Sequence, residues 1–112
     1  MLDITYFTDN KTELRRIVVR INQKEKSTIV GAVKKFDESA KIWLFGSRAN
    51  NSQKGGDIDI AVLSSVISRK NRHDIVYEIE KQIGEQKIDF LVCADYSKPI
   101  FRMATESGVQ IG

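Results

Sequence analysis

The sequence predicts an α+β fold, a mixed β-sheet flanked by helices in a single domain, and three observations carry that expectation. Lys41 to Phe45, Asp57 to Leu63 and Lys87 to Val92 are short apolar runs with the length and composition of strands. Asn22 to Phe36 and Arg69 to Gly84 are longer and repeat apolar residues at helical spacing. With 112 residues, 41% of them hydrophobic, the chain can bury one core, and no repeat, linker or low-complexity tract divides it.

The elements follow in order. Ile4 to Thr8 leans towards strand and ends on a turn signal, Asp9-Asn10. Ile17, Val18, Val19 and Ile21 favour a second strand over Arg16 to Ile21 that could pair with the first, although Thr12, Glu13, Leu14 and Arg15 could equally start a helix. Residues 1–21 are therefore read as an N-terminal arm and 22–112 as the domain proper. Asn22 with Glu25 three residues on forms a capping box, opening a helix whose Ile29, Val30, Val33 and Phe36 should face the sheet. Its lysines, Lys24, Lys26, Lys34 and Lys35, lie among acids on the outer face, so they read as solvated surface rather than a nucleic-acid patch.

Lys41 to Phe45 is apolar on both faces, as a central strand is. The spacer Arg48 to Gly56 is expected to hold a short helical turn and then a Gly55-Gly56 hairpin, with Lys54 a solvated turn residue. The next strand leaves through Ser64-Ser65 into the Arg69 helix, which should bury Ile75, Val76, Ile79 and Ile83. His73, the sole histidine, reads as a surface residue near that helix's start. After the Lys87 to Val92 strand and a loop over Asp95 to Pro99, a closing helix spans Ile100 to Ser107. Ile100, Phe101 and Ala104 should face inward, and Gly108 is the stop.

Composition excludes several classes. A net charge of +3 suits a phosphate-bearing ligand and is too small to announce a nucleic-acid binder. A lone Cys93 excludes an internal disulfide and a cysteine-rich zinc site. No apolar run reaches membrane-span length and the first residues lack a cationic secretory n-region, so a cytoplasmic setting is expected.

The chemistry concentrates between Phe45 and Ala61. Gly46 lets the backbone turn and approach a ligand, and Ser47 offers a hydroxyl and an amide N–H to phosphate oxygens. Arg48 could contact a triphosphate oxygen or pair with a nearby carboxylate. Asp57 and Asp59 project from one face of their strand while Ile58, Ile60 and Val62 project from the other. Two such carboxylates repel unless a cation lies between them, and Mg²⁺ is the hard, oxygen-seeking cation that suits them. Asp89 interrupts an otherwise apolar strand and joins the same cluster if that strand lies beside the Asp57 strand. Singly, each acid could be a solvated turn or edge residue; the combination is what points to a site.

Gly46-Ser47, the spacer, Asp57-x-Asp59 and the later Asp89 together resemble the signature of the DNA polymerase β nucleotidyltransferase superfamily, and within it the minimal nucleotidyltransferases. The resemblance runs from about Asn22 to the C-terminus. It implies the nucleotidyltransferase fold, catalysis and metal binding by Asp57, Asp59 and Asp89, and phosphate binding by Gly46, Ser47 and Arg48. It further implies two Mg²⁺ ions, ATP as donor, and AMP transfer to a tyrosine of a HEPN-domain toxin of which this chain would be the antitoxin. Homo- or hetero-oligomerisation would complete a site that a short chain leaves open. A non-catalytic antitoxin that neutralises its partner by direct association is the alternative. Transfer to a small molecule such as an aminoglycoside ranks below both.

Overall fold

The computed structural model describes residues 3–8, 14–19, 21–46, 58–84 and 87–112. In chain order the elements are β1 (Asp3–Thr8), β2 (Leu14–Val19), α1 (Gln23–Lys34), β3 (Lys41–Phe45), β4 (Ile58–Leu63), α2 (Arg69–Ile83), β5 (Ile88–Cys93), α3 (Pro99–Ser107) and β6 (Val109–Gln110). β1 and β2 form an antiparallel pair of their own, Asp3 opposite Val19 and Thr8 opposite Leu14. The other four strands form a mixed sheet in the order β5-β4-β3-β6. β3 runs antiparallel to β4 and β6, and β5 runs parallel to β4 after the α2 crossover. The expected α+β architecture, with the Lys41 strand central, is what the chain adopts.

Local chemistry sets the helix starts. Asn22 accepts from the Glu25 N–H at 2.8 Å while the Glu25 carboxylate accepts from the Asn22 N–H at 2.9 Å, the reciprocal cap expected from the sequence. Ser68 and Asn71 form the corresponding box on α2. Pro99 occupies the first turn of α3, where its missing N–H costs nothing.

Each face of the sheet has its own core. Ile42, Leu44, Ile58, Ile60, Val62 and Phe90 pack with Ile29 and Val33 of α1 and Ile75 and Ile79 of α2. On the opposite face Trp43, Ala61 and Cys93 pack under Phe101 and Ala104 of α3. There the Trp43 and Phe101 rings meet edge-to-face at 6.0 Å, and Tyr96 lies 5.6 Å from Phe101. Lys35 of the α1 C-cap and Lys81 of α2 both reach Glu78, each at 3.1 Å. Among the described residues no helix is long and apolar enough to cross a membrane.

Three details differ from the sequence reading. Ile100, expected inward, is 56% exposed, because α3 is anchored through Phe101 and Ala104 and this leaves Ile100 on the outer side. Val30, Phe36, Val76 and Ile83 reach the core only in part, at the rims of their helices. β6 was not anticipated: two residues are too few to show a period, and pairing with β3 makes Val109–Gln110 a strand.

Candidate active site

The sheet's pleat and register bring the carboxylates together. On β4, Ile58, Ile60 and Val62 face α1 and α2, so Asp59 points with Ala61 and Leu63 to the α3 face. Phe45 of β3 lies opposite Asp59, and Asp89 of β5 lies opposite Asp59 on its other side. One row therefore crosses the sheet as Phe45, Asp59, Asp89, and the row beyond it, Trp43, Ala61, Leu91, is apolar and covered by α3. Adjacent strands lie about 4.8 Å apart, so the two acids emerge side by side at the end of β3 where Gly46 follows.

Gly46 has φ +69°, in the left-handed region, and a β-carbon built on it would collide with the Asp59 carboxylate. Glycine at this position leaves that carboxylate room beneath the backbone. Asp59 is half-buried and Asp89 exposed. Unit charges 4 Å apart repel by about 1 kcal/mol in water and about 4 kcal/mol near a protein surface, and a divalent cation between two acids offsets repulsion of that scale. The donor set, carboxylate oxygens from two strands beside an open space, fits a hard cation such as Mg²⁺.

Of the predicted site residues the structure thus brings together Gly46, Asp59 and Asp89. Asp57, Ser47 and Arg48 lie outside the described residues, as does the rest of the spacer. Among the described residues no group of three or more His, Cys, Asp and Glu side chains converges on a metal-sized space.

A cleft of about 670 Å³ opens over the carboxylate row. Phe45, Asp59, Asp89, Leu91 and Ile100 line it on the α3 side, and it continues around β5 past Ile88 and Phe90 to α2. There Arg72, His73, Val76, Tyr77 and Glu80 form the far wall. The expected surface position of His73 holds, yet the side chain also lines the cleft. Sequence reasoning missed Arg72, Tyr77 and Glu80 as cleft residues. Their only signal was exposure on a helix joining two motif strands, and which strand edge that helix passes depends on strand order.

A family model described as "Polymerase beta, Nucleotidyltransferase" matches residues 27–111. The chain belongs to the polymerase β nucleotidyltransferase family. This nucleotidyltransferase is similar in fold to a chain of a crystal structure of the toxin–antitoxin pair MntA-HpeT, with a TM-score of 0.64 and 18% identity over 82% of this chain and 73% of that one. That crystal structure is of a mutant with glutamate replacing two aspartates two positions apart. No curated protein matches the nucleotidyltransferase chain. The family and fold read from Gly46-Ser47, Asp57-x-Asp59 and Asp89 are those that the comparisons support.

Proposed function

We propose that this nucleotidyltransferase transfers AMP from ATP to a hydroxyl, a tyrosine of a HEPN-type toxin partner, the tyrosine oxygen bonding to the α-phosphorus as pyrophosphate leaves, and so serves as that toxin's antitoxin. The observation that carries the reading is the in-register pair Asp59 and Asp89 on neighbouring parallel strands, with Gly46 folded over Asp59. The similarity to MntA-HpeT supports a toxin partner, and the two-residue spacing of the aspartates altered in that mutant is that of Asp57 and Asp59 here.

Asp57, Asp59 and Asp89 would hold Mg²⁺, which when bound neutralises triphosphate charge and makes an acceptor hydroxyl more acidic. Asp89 would accept the acceptor's proton, a reading supported by its exposure on the outermost strand of the sheet. Asp59, flanked by Phe45 and lying under Gly46, keeps a fixed orientation. Gly46 presents bare backbone to the triphosphate, and Ser47 and Arg48 would follow with donors for its oxygens. Phe45, Leu91 and Ile100 make one wall of the cleft apolar, which strengthens electrostatic contacts within it.

The test incubates the chain with a HEPN-type toxin, Mg²⁺ and ATP labelled at the α-phosphate. Label on a toxin tyrosine that is lost in Asp59→Asn supports the proposal. Tight association with no label in any condition would replace it with neutralisation by binding alone.

A further inference from the structure

We propose that the acceptor protein seats an extended segment along the outer edge of β5, adding a strand to the sheet, with acidic side chains against the start of α2 and a hydroxyl-bearing side chain at Asp59 and Asp89. The delivery of a hydroxyl rests on the transfer reading above; the docking does not.

The backbone supplies the first reason. The Ile58 N–H donates to the Lys87 carbonyl at 3.0 Å and the Ser64 N–H to the Cys93 carbonyl at 2.9 Å, so the odd-numbered peptide groups of β5 turn to β4. By alternation, the N–H and C=O groups of Ile88, Phe90 and Val92 turn outward. β5 is the last strand of its sheet, and among the described residues no strand meets those groups. Backbone donors and acceptors in a row along a groove are what an added strand satisfies.

The cleft supplies the second. It starts at Asp59 and Asp89 and passes around this same edge at Ile88 and Phe90. A strand laid there leads directly into the carboxylate pair.

Charge supplies the third, and it selects the occupant. Arg69, Lys70 and Arg72 open α2, with no acid in its first turn, where the helix dipole disfavours cations. Among the described residues none of these three is ion-paired, and Arg72 and His73 line the cleft. Because α2 crosses back from the end of β4 to the start of β5, this basic end lies away from the carboxylates, and Glu80 lies nearer them. Arg72 to Glu80 covers about 12 Å of helix and Ile88 to Val92 about 13 Å of strand. Asp89 faces the α3 side and α2 packs on the other, so an acceptor segment carries its acids an odd number of residues, three or five, from its hydroxyl.

The probe is a capped decapeptide of alternating valine and threonine with one tyrosine and two glutamates, three and five residues from it. Added to the full chain up to about 1 mM, it is expected to slow amide exchange at Ile88, Phe90 and Val92 at least tenfold, with Asp89 and Leu91 little changed. N-methylating one alternate set of peptide residues should abolish this protection, and methylating the other set should spare it. Replacing the glutamates with lysine should weaken binding at least tenfold. Val92→Pro removes one outward N–H without touching a bond to β4 and should also lose the peptide; the N-methylated peptides keep the test decisive should that variant not fold.

Equal binding by both methylated peptides, no protection at about 1 mM, or displacement by single-stranded oligonucleotide would overturn the docking. So would protection of the same amides without peptide at doubled mass, which would give the edge to a second copy of the chain. With labelled ATP and Mg²⁺, edge-dependent binding that leaves tyrosine unlabelled would sink the transfer reading and keep the docking. Labelling indifferent to the methylation pattern would do the reverse.

Discussion

Gly46 and Asp59 share one small volume: a β-carbon on Gly46 would overlap Oδ2 of Asp59 and lie 3.2 Å from its carboxyl carbon. The contact ties the turn after β3 to the carboxylate of β4, so backbone and acid are positioned together. Gly46→Ala forces a side chain into the left-handed region and displaces Asp59 at once. Activity is expected to fall about a hundredfold, the scale of an ångström-sized misplacement, with a stability loss of about 1–3 kcal/mol. Nucleotide transfer and urea denaturation on the same preparation check it.

Asp89 stands in register with Asp59 and is exposed. Asp89→Asn is an exposed substitution of nearly equal shape, so the melting temperature without metal should change little. The stabilisation that Mg²⁺ and ATP together give the parent chain should vanish, and transfer should drop at least a hundredfold. Thermal melts with and without Mg²⁺ and ATP separate these effects. A large loss of stability without metal would mean that Asp89 is structural.

Ser64 is a buried junction at the end of β4. Its hydroxyl donates to Asp37 at 2.6 Å and accepts from the Val66 and Ile67 N–H groups at 3.1 and 3.0 Å. Ser64→Ala leaves the Ile67 N–H without that acceptor in a buried setting, at a cost of about 1–3 kcal/mol. Chemical denaturation measures it directly.

The same junction makes stability depend on pH. The Ser64 hydroxyl first, then the Ser39 hydroxyl and N–H, hold the Asp37 carboxyl below the ordinary carboxylate value. The folded chain thus binds this proton less readily than the unfolded chain. The stability Asp37 contributes is complete above about pH 3.9 and is lost as pH falls through the lower folded-state value. Hydrogen bonds from Lys81 and Lys35 give Glu78 the same sign, and those from Ser97 give it to Asp95. Urea midpoints should fall on acidification below about pH 4, and less steeply in Asp37→Asn.

Phe101 is fully buried between the α3 helix and Trp43. Phe101→Ala should cost about 3–5 kcal/mol by removing the anchor that holds α3 on the sheet. Trp43 is the only tryptophan, so a shift in its fluorescence reports the loss locally.

Much of this molecule is written in short-range pattern. The Asn22–Glu25 cap, the two-residue alternation that sets Asp59 apart from Ile58 and Ile60, and the helical stripe through Ile75 and Ile79 each depend on neighbours a few residues away. One sequence could therefore show them, and with them Gly46, Asp59 and Asp89 as candidates. Ile100 was misread because Ile100 and Phe101, adjacent on the helix, are both apolar and spacing alone does not rank them; the packing of Phe101 against Trp43 turned Ile100 outward.

What the chain determined by itself is its elements, its family signature and which acids share a face. Strand order, the pairing of Asp59 with Asp89, the β6 addition and the sharing of one cleft by Arg72, His73, Tyr77 and the two carboxylates were decided by tertiary structure. The reason is physical: periodicity is a property of one segment, whereas register and edges arise only when segments far apart in sequence exchange their hydrogen bonds.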